Sequence, residues 1–339
     1  MSVMSKGAGE KLGGIVALAR LAGVSPSTVS RALANNPMVA EATRRRIHAL
    51  AAEHGFRLNQ AASAFRRGRA QAIGVVIPLG HETGQNLSDP FFMALLGPLA
   101  DALAGAGYDL LLSRVIPREE GWLSDLIDTG RTDGLILIGQ SDQLDAIEAA
   151  AARYQRMVVW GAGRPGLTQV TVGTDNEAGG RIAAEHLIAR GRRRLAFLGN
   201  PAVPEFAARH RGFAQAVEAA AVQDDVLPVH LTTSAAYREV AAFLSDHPAP
   251  DGVVAASDVI AMSAMQALAE RGLRVPEDVS VVGYDDVALA RLTTPPLTTV
   301  RQDVELGARL LVDLLLRRIA GEAVSSVELA PELVVRGSS

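Results

Sequence analysis

The chain has 339 residues, with 33 lysines and arginines against 37 aspartates and glutamates, and it contains no cysteine. This length is enough for two or three domains with a sizeable core. The lack of cysteine excludes disulfides, thiolate metal sites and cysteine nucleophiles. The N-terminus lacks the apolar core of a secretory signal, and no apolar run approaches the roughly 18 residues of a membrane span. We therefore expect a cytoplasmic protein.

Positive charge is concentrated at the N-terminus. Residues 1–70 carry eleven lysines and arginines against three glutamates, an excess of eight positive charges. The rest of the chain carries 22 basic and 34 acidic side chains, an excess of twelve negative charges. A basic module on an acidic body is expected where only one end of a protein binds nucleic acid.

After a glycine-rich leader at 1–13 that we expect to be disordered, the stretch Ala17–Leu33 has the features of a helix-turn-helix. Apolar residues at helical spacing predict a first helix at about residues 15–22. Gly23 can adopt the positive φ that the reversal of direction needs. Ser25 and Pro26 are a suitable N-cap and first residue for a second helix.

The second helix is predicted at about 26–34 and a third at about 41–54. The second helix leaves three polar side chains pointing outward: Ser27, Thr28 and Arg31. A short polar helix with one outward arginine has the size and chemistry to enter the major groove of DNA. An ordinary helical hairpin has the same pattern, and the basic charge of this segment favours the DNA-binding interpretation.

From Ala72 onward short β-rich runs alternate with amphipathic helical stretches, which predicts parallel sheets covered on both faces. The predicted strands are 72–78, 109–113, 134–139, 157–161, 194–199, 252–256 and 279–285, and the clearest helices are 91–106, 177–190, 207–221 and 259–271. Seven or more strand–helix units are too many for one sheet, and we therefore predict two doubly wound lobes. The chain could cross between them at 161–166 and 293–296, which would form a hinged cleft for a small ligand.

Two signals typical of enzymes are weak in this sequence. Gly161–Gly166 spells GxGxxG after a predicted strand, but a strand-like run follows where dinucleotide binding needs a helix. The adjacent Asp285 and Asp286 end a strand and should point opposite ways, so they cannot readily converge on a substrate. No metal-ligand spacing or Ser-His-Asp grouping is legible, and we expect neither a cofactor nor a metal. A nucleotide-dependent oxidoreductase is the alternative that these two signals leave open.

Seven segments along nearly the whole chain form a recognisable series in this order: LAGVSPSTVSRAL (21–33), TRRRI (43–47), AIGVVIP (72–78), DPFF (89–92), TDNEAGGRIAAEHLIARGRRRLAFLG (174–199), SDVIAMSAMQALAERGLRVPEDVSVVGYDD (257–286) and PPLTTVRQD (295–303). Together they resemble the LacI/GalR family of bacterial transcription regulators. The resemblance implies an α/β protein with an all-α helix-turn-helix headpiece. Its two-lobed core of doubly wound parallel sheets would be similar to periplasmic sugar-binding proteins. Such proteins are dimeric, or sometimes tetrameric, and bind an effector between the lobes.

The resemblance also implies which residues bind DNA. They are Ser25, Ser27, Thr28, Arg31, Thr43, Asn59, Phe65 and Arg66. The first four would lie at the major groove, where Pro26 offers no donor and leaves base readout to Ser27 and Arg31. Thr43 and Asn59 would contact phosphates. Phe65, where the family usually has leucine, would wedge into the minor groove from a hinge helix that orders only on DNA; the alternative is that it packs against the linker.

Seven residues are expected in the effector cleft, at strand ends and helix starts. They are Asp89, Phe91, Trp160, Arg209, Ser257, Asp258 and Asp285. Aspartate accepts hydrogen bonds from vicinal hydroxyls, arginine donates as a planar fork, and aromatic faces stack on a sugar ring. The alternatives are that Asp258 is a helix N-cap, Asp285 a strand-end ion pair and Phe91 a core residue. We expect Arg209 and Asp285 to be unpaired charges in an empty cleft.

The predicted domains are a leader (1–13), a DNA-binding domain (14–58), a hinge (59–70), a first lobe (71–162 with 293–322) and a second lobe (163–292 with 323–337). The predicted function is repression of carbohydrate-utilisation genes from a palindromic operator by a homodimer, with release by a small sugar. A purine-type co-repressor, or an activator of the same architecture, is the nearer alternative.

Overall fold

The computed structural model describes residues 14–56, 70–80, 84–119, 121–140, 142–164 and 166–339. The chain divides into two compact units, Met1–Ala70 and Gln71–Ser339. The predicted leader at 1–13 lies outside the described residues. So does the predicted hinge segment apart from Ala70, together with its DNA-contact residues Asn59, Phe65 and Arg66.

The described residues of the first unit form three helices: α1 (Ile15–Ala22), α2 (Pro26–Leu33) and α3 (Glu41–Glu53). They match the predicted helices to within a residue. Their packed faces form one small core of buried side chains: Leu18, Ala19, Ala22, Val29, Ala32, Val39, Ile47 and Ala51. The small alanines let the helices approach closely, and the polar face of α2 is left exposed.

The turn chemistry of this unit is as predicted. Gly23 ends α1 in the left-handed conformation, with φ of +65°. Ser25 then caps α2, because its hydroxyl accepts a hydrogen bond from the amide of Thr28 at 3.2 Å. Ala40, before α3, provides no side-chain cap. A missing hydroxyl cap costs a helix about 1 kcal/mol.

In the part of the second unit that the structure describes, the strands form two six-stranded sheets. Its strands are β1 (Ala72–Pro78), β2 (Asp109–Val115), β3 (Gly134–Ile138), β4 (Met157–Trp160), β5 (Thr171–Thr174), β6 (Arg194–Leu198), β7 (Gln223–Leu227), β8 (Gly252–Ala255), β9 (Ser280–Asp285), β10 (Thr298–Arg301), β11 (Val327–Leu329) and β12 (Glu332–Val334). The strand orders are β11-β5-β4-β3-β1-β2 and β12-β10-β9-β8-β6-β7. All neighbours are parallel except β10 and β12. The prediction of two doubly wound lobes is confirmed.

Helices cover both faces of these sheets and bury the central strands. They are α4 (Pro90–Gly105), α5 (Trp122–Asp128), α6 (Leu144–Arg153), α7 (Asn176–Ala189), α8 (Pro204–Ala220), α9 (Thr233–Asp246), α10 (Asp258–Glu270) and α11 (Val304–Ile319), with a 3₁₀ helix at Ala288–Arg291. Within the described parts of the chain, no helix is both long and apolar enough to cross a membrane.

The chain crosses between the lobes later than predicted. The loop that follows β4 leads to β5, which pairs with β4 in the first sheet, so 161–166 is not a crossing. The segment 293–296 likewise leads to β10, which pairs with β9 in the second sheet. The crossings lie after β5, after β10 and between β11 and β12. The predicted lobe is therefore wrong for residues 163–174, 293–301 and 323–329, because the short strands beside these loops have no clear alternation of apolar and polar residues.

Candidate functional site

A cavity of about 110 Å³ lies between the two lobes, at the strand ends and helix starts. Six of the seven residues predicted for the effector cleft line it: Asp89, Phe91, Trp160, Arg209, Ser257 and Asp285. The first three come from the first lobe and the others from the second. The structure thus brings them together from segments up to 196 positions apart, while their contact with an effector stays a prediction.

The first-lobe wall combines aromatic rings with one carboxylate. The rings of Phe91 and Trp160 lie 6.1 Å apart between centroids and both border the cavity. Asp89 caps α4 by accepting a hydrogen bond from the amide of Phe91 at 2.9 Å, and it accepts a second from Gln85 Nε2 at 2.9 Å. Burial nevertheless raises the pKa of Asp89 above its ordinary value. All its hydrogen-bond donors are neutral groups, which do not fully replace lost solvation.

Arg209 is a buried cation on the second-lobe wall. Its guanidinium carbon lies 3.6 Å from the ring centre of Tyr284. Its Nε donates to Asn176 Oδ1 at 2.8 Å, and its Nη1 donates to the carbonyl oxygen of Ala256. Nη1 also lies 3.9 Å from Asp285 Oδ1. The expectation that Arg209 and Asp285 are unpaired in the empty cleft is therefore wrong, because protein groups already hold both.

Asp285 ends β9 and faces the same cavity. Gln302 Nε2 donates to its Oδ1 at 2.7 Å. Burial raises the pKa of Asp285 to about 7, against the lowering effects of Arg209 and of the hydrogen bond from Gln302. The charge of Asp89 raises this pKa further. Desolvation thus outweighs the loose ion pair, and Asp285 changes charge near neutral pH.

Asp258 is not part of the cavity wall, so its prediction as an effector ligand is wrong. Its side chain is fully buried, and its two carboxylate oxygens accept from Thr299 Oγ1 at 2.6 Å and from the amide of Val287 at 2.9 Å. Burial and then the charge of Asp285 raise the pKa of Asp258 well above its ordinary value. The alternative of an N-cap is also wrong, since Ser257 caps α10 through the amide of Ile260.

Sequence reasoning missed several residues that line the cavity, among them Asn176, Glu205, Phe206 and Gln302. The available signal was that Asn176 and Gln302 lie in the segments TDNEAGG and TTVRQD, which carry the family resemblance. In the structure each of them lies directly at a lobe crossing. Glu205 is the second residue of the second-lobe helix α8, and it accepts a hydrogen bond from the first-lobe amide of Gln140 at 3.4 Å. No sequence pattern pairs those two residues.

The outward face of α2 carries the residues predicted to meet DNA bases. Ser27 and Arg31 are exposed, while Thr28 and Thr43 are half-buried. The Ser25 hydroxyl oxygen lies 2.8 Å from that of Ser27 and 2.9 Å from that of Thr28. These hydroxyls therefore bond to one another in the unbound chain, and Arg31 is the exposed cation of this face.

Residues 15–59 match the family described as bacterial regulatory proteins, lacI family, and residues 184–339 match a periplasmic binding protein-like domain. The chain is 31% identical over 338 residues to the HTH-type transcriptional regulator DegA of Bacillus subtilis (strain 168), covering 95% of this chain and 96% of that protein. It belongs to the LacI family. The resemblance drawn from the sequence is confirmed, and this LacI-family chain is a DNA-binding regulator rather than an enzyme.

Solved structures of LacI-family regulators share its fold. The Lac repressor dimer bound to operator and the anti-inducer ONPF has a TM-score of 0.84 at 26% identity, covering 96% of this chain and 98% of that one. A complex of the transcriptional regulator CelR with cellobiose has a TM-score of 0.68 at 29% identity, covering 96% and 99%. The predicted headpiece and two-lobed core are thus those of the family.

The two enzyme-like signals are explained by the LacI-family fold. The sequence GAGRPG (161–166) joins β4 to β5, and no helix begins in its described residues, so it lacks the geometry for a pyrophosphate. The side chains of Asp285 and Asp286 diverge, as predicted: Asp285 lines the cavity, while Asp286 pairs with Arg301 and Arg336.

Proposed function

We propose that this LacI-family protein is a repressor of carbohydrate-utilisation genes that binds a palindromic operator as a homodimer and is released by a small sugar. The observation that carries the effector class is the cavity wall. It sets the pair Arg209 and Asp285 opposite the rings of Phe91 and Trp160. A polyhydroxylated ring needs this combination, with charged groups for hydroxyls and apolar faces for C–H groups.

Two further observations support a single sugar ring. The cavity of about 110 Å³ has room for roughly seven to eleven water-sized groups, taking about 10–15 Å³ for each, close to the size of one hexose. Thr174 borders the cavity, and its buried hydroxyl has no hydrogen-bond partner among the described residues. A buried unpaired hydroxyl is costly, and a ligand hydroxyl would satisfy it. The structurally similar regulator CelR, in complex with the disaccharide cellobiose, supports a carbohydrate effector in general rather than its size.

We propose that the headpiece reads DNA mainly through Arg31. A bidentate contact from arginine to guanine discriminates by about 1–3 kcal/mol. Ser25, Ser27 and Thr28 would exchange their mutual hydrogen bonds for contacts with DNA, and Thr43 would bind a phosphate. Asn59, Phe65 and Arg66, outside the described residues, keep the proposed phosphate, minor-groove and linker roles. Such a protein acts on the chromosome, in the cytoplasm.

A homodimer is supported by apolar side chains exposed on both lobes. They include residues on α4, β2, β7, the segment after β9 and the residue after β12: Met93, Leu112, Val226, Leu289, Leu292 and Val335. Leu292 is 78% exposed. Exposed apolar residues on elements of both lobes favour association with a second copy. Sedimentation velocity on the full chain tests this, and Leu292→Asp should weaken the dimer.

The effector would act by binding preferentially to the state that does not bind DNA. Its effect on operator affinity cannot exceed its preference between the two states. A sugar that binds more tightly to the closed lobes therefore weakens operator binding, by at most the ratio of its affinities for the two states.

The experiment has two steps. Footprinting on upstream DNA identifies the operator, and fluorescence anisotropy then follows its binding while sugars selected by a thermal-shift screen are added. A sugar that stabilises the protein and releases the operator supports the proposal. A purine that tightens operator binding would instead show the co-repressor alternative, and unchanged protection by Arg31→Ala would contradict the assignment of the recognition helix.

A further inference from the structure

The end of β9 has a backbone that L-amino acids rarely adopt. Asp285 has φ of +118° and the next residue, Asp286, has φ of +54°. Two consecutive non-glycine residues with positive φ persist only where the surroundings hold them. The turn directs Asp285 into the cavity, so whatever holds the turn also places a residue of the effector site.

Asp286 is the anchored member of the pair. Its carboxylate accepts hydrogen bonds from Arg301 Nε at 2.7 Å and from Arg336, and Arg291 Nη2 lies 3.8 Å away. The Asp286 side chain is 2% exposed and does not line the effector cavity. Charge-assisted hydrogen bonds from two arginines are strong and directional, so they fix this carboxylate in the turn.

The same contacts reach two of the lobe crossings. Arg301 is the last residue of β10, directly before the chain returns to the first lobe, and the next residue, Gln302, donates to Asp285. Arg301 Nη1 also donates to Oε2 of Glu332 at 2.8 Å. Glu332 begins β12, directly after another crossing. One arginine therefore connects the turn at Asp286 to both segments.

We propose that Asp286 is a positioning residue of the effector site. Its carboxylate, held by Arg301 and Arg336, fixes the turn that presents Asp285 to the effector, and ties that turn to the crossings between the lobes. The inference rests on the proposed function, since it takes the cavity as the effector site. Asp286 does not touch the effector and acts through Asp285.

Isothermal titration calorimetry on the full chain tests the inference. The titrant is whichever of D-ribose, D-glucose, D-galactose and cellobiose binds the unmodified protein most tightly. Asp286→Asn should weaken its binding by about tenfold, a 1.4 kcal/mol loss. Operator affinity measured without sugar should stay within about threefold, because no DNA contact is changed. Asp278→Asn, which removes a paired carboxylate elsewhere in the second lobe, should leave sugar affinity unchanged.

A double-mutant cycle separates positioning from a general structural role. If Asp286 acts through Asp285, Asp286→Asn should weaken sugar binding by no more than about twofold in an Asp285→Asn background. Losses that simply add would overturn the proposal. Arg301→Gln, which leaves Asp286 in place, should also weaken sugar binding and lose most of this effect in the Asp285→Asn background. It replaces Asp286→Asn in the cycle if that variant does not fold.

Asp286→Gly provides a second decisive variant, because glycine adopts φ of +54° without strain but has no carboxylate. Full sugar affinity in this variant would overturn the role of the carboxylate. If the unmodified protein bound none of the four sugars, the proposed sugar effector itself would be contradicted. Equal sugar binding by the unmodified protein and Asp286→Asn would contradict only the positioning role.

Discussion

A Cβ atom at Gly180 would lie 1.8 Å from the carbonyl oxygen of Arg209. Gly180 is on α7 and Arg209 on α8, and the reciprocal contact is as close, since a Cβ at Gly212 would lie 1.8 Å from the carbonyl oxygen of Glu177. The two helices can approach to this distance only through glycine. The position of the cavity arginine therefore depends on residues that never touch the cavity.

Gly180→Ala should separate α7 from α8 and displace Arg209. We expect the core to lose about 1–3 kcal/mol of unfolding free energy, the usual cost of overpacking, and sugar affinity to fall with it. Thermal unfolding and calorimetry measure the two effects. Gly105→Ala at the end of α4, where a Cβ meets nothing within 4 Å, is the control and should be neutral or stabilise by up to about 1 kcal/mol. Equal stability of the two variants would contradict the close-packing argument.

The raised pKa of Asp285 predicts that it destabilises the folded core as pH rises. The folded carboxyl, with a pKa of about 7 against an ordinary 3.8, holds its proton where the unfolded one has lost it. The unfolding free energy should therefore fall between pH 4 and 7, by at most about 1.4 kcal/mol per pH unit. Denaturant titrations of the unmodified protein and Asp285→Asn at pH 5 and pH 8 measure this. The variant should gain in relative stability at pH 8.

Asp278→Asn is the control for this pH dependence. Arg274 lowers the pKa of Asp278 to about 2, so its stabilising contribution is lost only as pH falls from about 3.8 towards 2. The difference between Asp278→Asn and the unmodified protein should be constant from pH 5 to 8. A difference for Asp285→Asn that is equally flat would show that Asp285 has an ordinary pKa.

Trp160 should report on the cavity by its fluorescence. It lines the cavity beside Phe91, whereas the second tryptophan, Trp122, lies outside the cavity wall and donates to Gln143 Oε1 at 2.9 Å. Sugar binding should change the emission of the unmodified protein and of Trp122→Phe. The change should disappear in Trp160→Phe. If the sugar-induced change in emission disappeared in Trp122→Phe instead, the sugar would bind away from the aromatic wall of Phe91 and Trp160.

Arg31→Ala should reduce discrimination between operator and random DNA. The expected loss is about 1–3 kcal/mol of specific binding, measured by competition anisotropy at fixed salt. Arg45→Ala is the matched control, because Arg45 is exposed on α3 and already pairs with Glu41 at 3.3 Å. It should weaken specific and random binding by similar factors. Similar losses of discrimination in both variants would mean that Arg31 acts only through its charge.

The headpiece was predictable nearly to the residue because its signals are local. A cap, a proline at the first helical position and a glycine at the turn fix the bounds of short helices without help from distant residues. The central strands were predictable for the same reason, as buried runs of apolar residues. The edge strands β7, β11 and β12 are only three to five residues long and each contains an acidic residue, so only their neighbours in the sheet define them.

The effector site was predictable in membership but not in its interactions. Family motifs placed Arg209 and Asp285 in the cleft, yet no pattern indicated that Asn176 and the carbonyl of Ala256 already hold the arginine. Asp258 was misassigned because a carboxylate beside a helix start has the same sequence pattern whether it faces a ligand or a buried threonine. Distinguishing the two requires the pairing of β9 with β10, which brings Thr299 beneath it.

The three lobe crossings are joined to one another side by side. The amide of Asp175 in the first crossing donates to the carbonyl of Leu329 at 3.0 Å, and Arg301 in the second bonds to Glu332 after the third. Three linked crossings resist twisting and sliding of one lobe against the other. The low-energy motion that is left is hinge bending about a single axis. A molecule in the cavity can therefore alter the protein along essentially one coordinate, so ligands of different shape should differ in the extent of the same movement.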